Sequence, residues 1–102
     1  MNIGFTKNRN KWVDAYISSI EILTTNTRKF TIKFFKNFDF TPGQFIQIKL
    51  KNVVRSYSIA SYSIDKNKLE LIIVKVEDGQ LTSILFNNTT VGDKIQVRGP
   101  KG

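Results

Sequence analysis

Alternation of apolar and polar residues marks out six short strands along the chain. In residues 12–23, Tyr16, Ile20 and Ile22 share one parity. In residues 28–35, Phe30, Ile32 and Phe34 alternate with Thr31 and Lys33; in residues 45–50, Ile46, Ile48 and Leu50 alternate with Gln47 and Lys49. Residues 55–61, 69–76 and 94–98 complete the set. Turn chemistry separates them: the polar run Thr24-Thr25-Asn26-Thr27, the pair Pro42-Gly43, the hairpin sequence Asp65-Lys66-Asn67-Lys68 and the pair Gly92-Asp93. Residues 81–87 read as a short helix. Six strands between turn signals predict an all-β fold, a small six-stranded antiparallel Greek-key β-barrel with one short capping helix.

The strand at 69–76 breaks the alternation. Leu71 and Ile73 share one parity, and Ile72, Val74 and Val76 the other. A half-exposed antiparallel strand should carry polar residues on its outer face. This one is apolar on both, so something covers the second face. A loop or the short helix is the simpler account on the residues alone. A flat ligand is the other.

Length and charge narrow the function classes. The 102 residues make one domain, with 40% hydrophobic content as in globular chains. No apolar run has the length of a membrane-spanning helix, so no membrane partner is expected. Residues 1–11 are polar and basic without the apolar stretch of a secretory signal; they read as a loose end of a cytoplasmic protein. The chain has no Cys and no His, which removes disulfides, thiolate chemistry and imidazole as base or ligand. Its carboxylates are scattered, and no metal site is expected. Any chemistry must therefore come from a bound cofactor. The formal net charge of +8 fits nucleic acid, an anionic surface or an acidic protein as partner. Solubility alone accounts for it equally well.

The stretch Arg55-Ser56-Tyr57-Ser58-Ile59-Ala60-Ser61 places a cation, an aromatic ring and several hydroxyls in one strand. Arginine grips phosphate oxygens with a planar fork of donors, and a tyrosine ring lies well against another flat ring. Strand parity points Arg55 and Tyr57 to one face and Ser58 to the other. Further on, Gly79-Gln80-Leu81-Thr82-Ser83 reads as a glycine turn into a helix, with Thr82 as the N-cap. Helix N-termini carry unpaired backbone donors and partial positive charge, which suit a pyrophosphate. Each feature also has a plain structural account: a surface ion pair for Arg55, a rim aromatic for Tyr57, an ordinary capped helix for 80–83.

A set of motifs, in order along the chain, resembles one family. Arg55-x-Tyr57-Ser58 is similar to the R-x-Y-S signature of the flavin-binding domain of ferredoxin–NADP reductases. Phe40-Thr41-Pro42-Gly43-Gln44-Phe45 resembles its Pro-Gly-Gln-Phe turn. Asp78-Gly79-Gln80-Leu81-Thr82-Ser83, followed by Val91-Gly92-Asp93-Lys94-Ile95 and Gly99-Pro100-Lys101-Gly102, is most similar to the bacterial ferredoxin/flavodoxin reductases. The resemblance spans about residues 12–102 and implies FAD as cofactor. It implies that Arg55 pairs with the FAD pyrophosphate, with Ser56 beside it in the site. Tyr57 stacks near the isoalloxazine and Ser58 bonds its reactive edge near N5, through a local bend or its backbone. Ile72 and Val74 lie beside the flavin, and Gln80, Leu81, Thr82 and Ser83 surround the pyrophosphate, largely through backbone N–H groups. The chemistry implied is hydride transfer from NADPH to FAD, then single-electron steps with an acidic carrier, ferredoxin or flavodoxin.

The family's nucleotide-binding α/β domain has no counterpart in this sequence, which lacks a strand–Gly-rich turn–helix unit of that kind. NADP(H) is thus expected to bind only through a missing domain, and FAD to be held less tightly than in a two-domain relative. Two other readings stand beside this one. A small basic barrel with aromatics also suits single-stranded nucleic acid, although that leaves the ordered motifs unexplained and nucleic acid is not the expected partner. A flavin-free structural barrel is the third.

Overall fold

The computed structural model describes residues 10–41, 43–60, 67–77 and 79–102. They form strands β1 (Val13–Thr24), β2 (Thr27–Phe34), β3 (Phe45–Leu50), β4 (Val53–Ser58) and β5 (Lys68–Val74), helix α1 (Gln80–Asn87) and strand β6 (Lys94–Lys101). All six strands lie in one sheet of order β4-β3-β6-β1-β2-β5. Every pairing is antiparallel. β6 inserts between β1 and β3, so the sheet is not a simple meander.

The predicted parities of β2 and β3 select the core. In β1 the buried residues are instead Ala15 and Ile17, opposite in parity to Tyr16, Ile20 and Ile22, with a register shift between Ile17 and Ser19 and Ile22 66% exposed. Phe30, Ile32, Ile46, Ile48, Leu69, Leu71 and Val97 are buried on one side of the sheet. Leu81, Leu85 and Phe86 of α1 join the same cluster. An isolated helix of eight residues is unstable in water; α1 persists because this apolar face is buried, each large side chain contributing about 1.5–3 kcal/mol. The sheet wraps this core until its edge strands β4 and β5 come together. One backbone bond, from Ala60 N–H to Glu70 O at 2.9 Å, crosses from the end of β4 to β5. Among the described residues no ladder joins the two edges, so the all-β class holds while a hydrogen-bonded closed barrel is not formed.

Several element bounds move for identifiable reasons. β4 starts at Val53, two residues early, because Leu50 pairs with Val53 across a two-residue turn at Lys51-Asn52. Both turn residues have positive φ, 48° and 66°, the geometry that matches the twist of a hairpin. β6 continues past its predicted end at Arg98, through Gly99-Pro100 to Lys101, with a register shift between Phe45 and Gln47 of β3. β5 ends at Val74, short of Val76. Residues 1–9 of the expected loose end, Pro42 of the Pro-Gly turn, Ser61 at the end of the fourth predicted strand, Asp65 and Lys66 of the hairpin sequence, and Asp78 lie outside the described residues.

Candidate functional site

β4 is an edge strand, and its pairing with β3 settles where each side chain points. Arg55 lies opposite Ile48 and Tyr57 opposite Ile46. Directly opposed residues share a face, so Arg55 and Tyr57 both lie on the core side, as strand parity requires. Tyr57 packs against the core cluster as a half-buried ring, while Arg55 is exposed. Burial pushes the Tyr57 phenol above its ordinary ionisation value, and the nearby Arg55 cation partly offsets this. Ser56 and Ser58 lie opposite Gln47 and Phe45 on the outer face, both exposed.

The β3–β4 register runs without a shift to Ser58, so the bend considered for Ser58 does not occur. Its backbone offers the other route. The ladder continues with Ile59 N–H donating to Gln44 O at 2.9 Å. Alternation along an antiparallel pair then turns the N–H and C=O groups of Val54, Ser56 and Ser58 outward from the free edge. Arg55 Nη1 donates to the outward Val54 carbonyl at 2.7 Å. On β5, Phe34 N–H to Asn67 O and Lys75 N–H to Asn26 O fix the same alternation; Glu70, Ile72 and Val74 therefore turn their backbone groups to the facing edge.

The second face of β5 corrects an expectation. Neither a loop nor α1 buries it: Ile72, Val74 and Val76 are 51%, 56% and 58% exposed. The apolar stripe flanks an edge of backbone donors and acceptors, and no segment among the described residues covers it.

The start of α1 corrects another. Gly79 is the N-cap, with no side-chain capping bond, and Thr82 lies inside the first turn. The Thr82 hydroxyl is turned inward instead. It accepts from Val76 N–H at 3.4 Å and lies 3.3 Å from Gly79 O. A Cβ on Gly79 would stand 2.5 Å from that hydroxyl oxygen, so this position needs glycine for space. Gly79 as cap was available to sequence reasoning, since glycine is an accepted N-cap. Leu81 and Thr82 are buried, leaving Gln80 and Ser83 with accessible side chains. Ser83 N–H is the first to bond back into the helix, to Gly79 O at 3.0 Å. The N–H groups of Gln80, Leu81 and Thr82 have no intrahelical acceptor.

The tertiary structure brings these two halves together. Arg55 Nη2 lies 3.4 Å from Gln80 Oε1, across 25 residues of sequence. No carboxylate among the described residues pairs with the guanidinium. An exposed arginine with spare donors thus stands beside a helix dipole and three amides that have no acceptor in the helix. This donor set fits a pyrophosphate, and the half-buried Tyr57 ring with the uncovered stripe of β5 fits an adjoining flat ring. Arg55, Tyr57, Gln80 and the first-turn amides converge directly. Ser56 and Ser58 reach the site by their edge backbone groups, and Ile72 and Val74 stand on the opposite edge. A separate apolar hollow of about 460 Å³, lined by Val13, Phe34, Phe35, Phe38 and Pro100 among others, contains none of these residues.

Residues 14–102 match the oxidoreductase FAD-binding domain family. The chain is 32% identical over 100 residues to an NADH-cytochrome b5 reductase 2-A of Vanderwaltozyma polyspora, covering 89% of this chain and 33% of that protein. It is 31% identical over 91 residues to the ferredoxin–NAD(P)(+) reductase component of a naphthalene 1,2-dioxygenase/salicylate 5-hydroxylase system of Ralstonia sp, covering 88% of this chain and 27% of that one. Among solved structures, the ferredoxin reductase of carbazole 1,9a-dioxygenase superimposes with a TM-score of 0.84 at 28% identity, over 90% of this chain and 29% of its own. The chain thus spans about a third of the length of the relatives it matches.

Proposed function

The chain belongs to the oxidoreductase FAD-binding domain family, and from that premise we propose that its FAD lies along the gap between β4, β5 and the N-terminus of α1. When bound, FAD supplies the redox chemistry, exchanging a hydride with a nicotinamide and single electrons with a carrier. The residues of the chain bind and orient it. Arg55 holds the pyrophosphate by charge-assisted bonds, and the amides of Gln80, Leu81 and Thr82 bind its other oxygens. Tyr57 supports one face of the ring as a neutral phenol, the ordinary state of tyrosine at physiological pH, and burial favours that state further. The edge N–H of Ser58 and the edge groups of Ile72 and Val74 meet the polar rim of the ring, while the apolar stripe excludes water from it.

The observation that carries this reading is the approach of Arg55 to Gln80 at the start of α1. The two parts of a phosphate site, far apart in sequence, meet at the only helix among the described residues.

The whole-protein activity we propose is that of a flavin-dependent reductase of ferredoxin/flavodoxin–NADP type, with the nicotinamide nucleotide held by a further domain. The relatives' names include both cytochrome b5 and ferredoxin reductases, so the class of partner is a one-electron carrier, with an acidic ferredoxin or flavodoxin favoured by the net charge of +8. The test is a visible absorbance spectrum and a melting scan of the protein with FAD and with FMN. A retained flavin band, or a melting temperature that climbs with FAD more than with FMN, supports the site, because a ligand selective for the native state stabilises it. No band and no shift with either flavin would remove the reading.

A further inference from the structure

We propose that Arg28 is a positioning residue for phosphate binding, clamping the C-terminal end of α1 so that the free amides at the other end face Arg55. This inference rests on the FAD-site reading above. Arg28 belongs to β2 and is paired with Ile73 of β5, which directs it to the core side. Its Nη1 donates to Phe86 O at 2.9 Å, in the last turn of α1. Its guanidinium carbon stands 4.5 Å from the centre of the Phe86 ring, and that ring is 6.1 Å from Phe30.

Three features mark this contact as more than packing. The last turn of α1 contains no basic residue of its own. Arg28 therefore supplies from the sheet the cation that the carbonyl end of a helix favours. The Arg28 Nε is buried without a hydrogen-bond partner, which carries a desolvation cost that Leu or Met of similar volume would avoid. What those residues would forfeit is the bond to Phe86 O and the cation over its ring. Finally, the side-chain bonds at the opposite end are long. The Thr82 hydroxyl contacts span 3.3–3.5 Å, beside a backbone bond from Gly79 N–H to Val76 O at 2.9 Å, so the clamp at Phe86 is the shorter, charge-assisted side-chain tie. A helix of this length behaves as a rigid rod of about 12 Å, and a tilt at one end displaces the amides at the other.

The test compares the unaltered chain with Arg28→Met and Arg28→Lys. FAD and lumiflavin, the ring without its phosphates, are titrated by fluorescence, and amide hydrogen exchange is followed without flavin. Arg28→Met is expected to weaken FAD by about three- to tenfold and leave lumiflavin unchanged. It should also speed exchange across α1 relative to β1, β2 and β3. Arg28→Lys, which keeps a cation at the helix end, falls between, and it stands in if the Met variant does not fold. Unchanged exchange in α1, or equal weakening of FAD and lumiflavin, overturns the proposal. Failure of the unaltered chain to bind FAD would instead sink the proposed function, and the exchange experiment would still decide the clamp.

Discussion

Replacing Arg55 by Ala tests the phosphate site most directly. The guanidinium carries five donors. In the structure one is bonded to Val54 O at 2.7 Å and one makes a long contact to Gln80 at 3.4 Å. The remaining donors have no partner among the described residues, and the Gln80 contact is weak enough to yield to a phosphate oxygen. A hydrogen bond to a charged group is worth about 1.5–3 kcal/mol. Two such bonds at an exposed position, discounted for solvent screening, come to about 2–3 kcal/mol. That corresponds to a rise in the FAD dissociation constant of roughly 30- to 150-fold. Because Arg55 is exposed and makes only these local contacts, the flavin-free protein should keep its stability within about 0.5 kcal/mol. The assay is a fluorescence titration with FAD and lumiflavin, alongside urea unfolding of each variant. Lumiflavin affinity should not change, and Arg55→Lys should recover part of the loss, since it keeps the charge without the fork. If FAD binds the Ala variant as tightly as the parent, Arg55 does not touch the pyrophosphate and the site assignment fails.

Other expectations follow from the same geometry. Gly79→Ala forces a Cβ to within 2.5 Å of Thr82 Oγ1 and should destabilise the protein by about 1–3 kcal/mol; an unchanged urea midpoint would show that the first turn of α1 gives way freely. Ile72→Ser, at a residue 51% exposed, should leave the flavin-free protein within about 0.5 kcal/mol of the parent while weakening both FAD and lumiflavin, and loss of stability without loss of affinity would mean the stripe serves folding alone. Tyr57 and Lys29 both hold their protons more tightly in the fold, Tyr57 through burial and Lys29 through its bond and attraction to Glu21 and then Glu70. Stability is therefore complete below their ordinary ionisation ranges and falls as pH rises through the raised values. Tyr57→Phe should flatten that alkaline decline in urea unfolding, and an equally steep decline in the variant would remove Tyr57 as a cause.

Much of this molecule was legible in its residue pattern, because side-chain period is a local property. Ile46, Ile48, Phe30 and Ile32 are buried where alternation placed them, and the 45–50 strand has its predicted bounds. Arg55 and Tyr57 share a face for the same reason. The ordered motifs carried the family, since they record spacing along the chain. Pattern could not say which strands are edges, and that is where the site lies. Only the sheet order makes β4 and β5 the two edges, with the backbone groups of Ser56, Ser58, Ile72 and Val74 turned toward the gap between them. The apolar second face of β5 looked like one that protein would cover, yet Ile72, Val74 and Val76 stay exposed, because burial depends on what the rest of the fold brings near. Thr82 read as a cap by residue type, but the space beside Gly79 draws its hydroxyl inward. The meeting of Arg55 with Gln80, and of Arg28 with Phe86 across 58 residues, belongs to packing alone. Period and propensity act over a few residues, whereas a site built from two sheet edges and a helix end exists only once long-range pairing has set their positions.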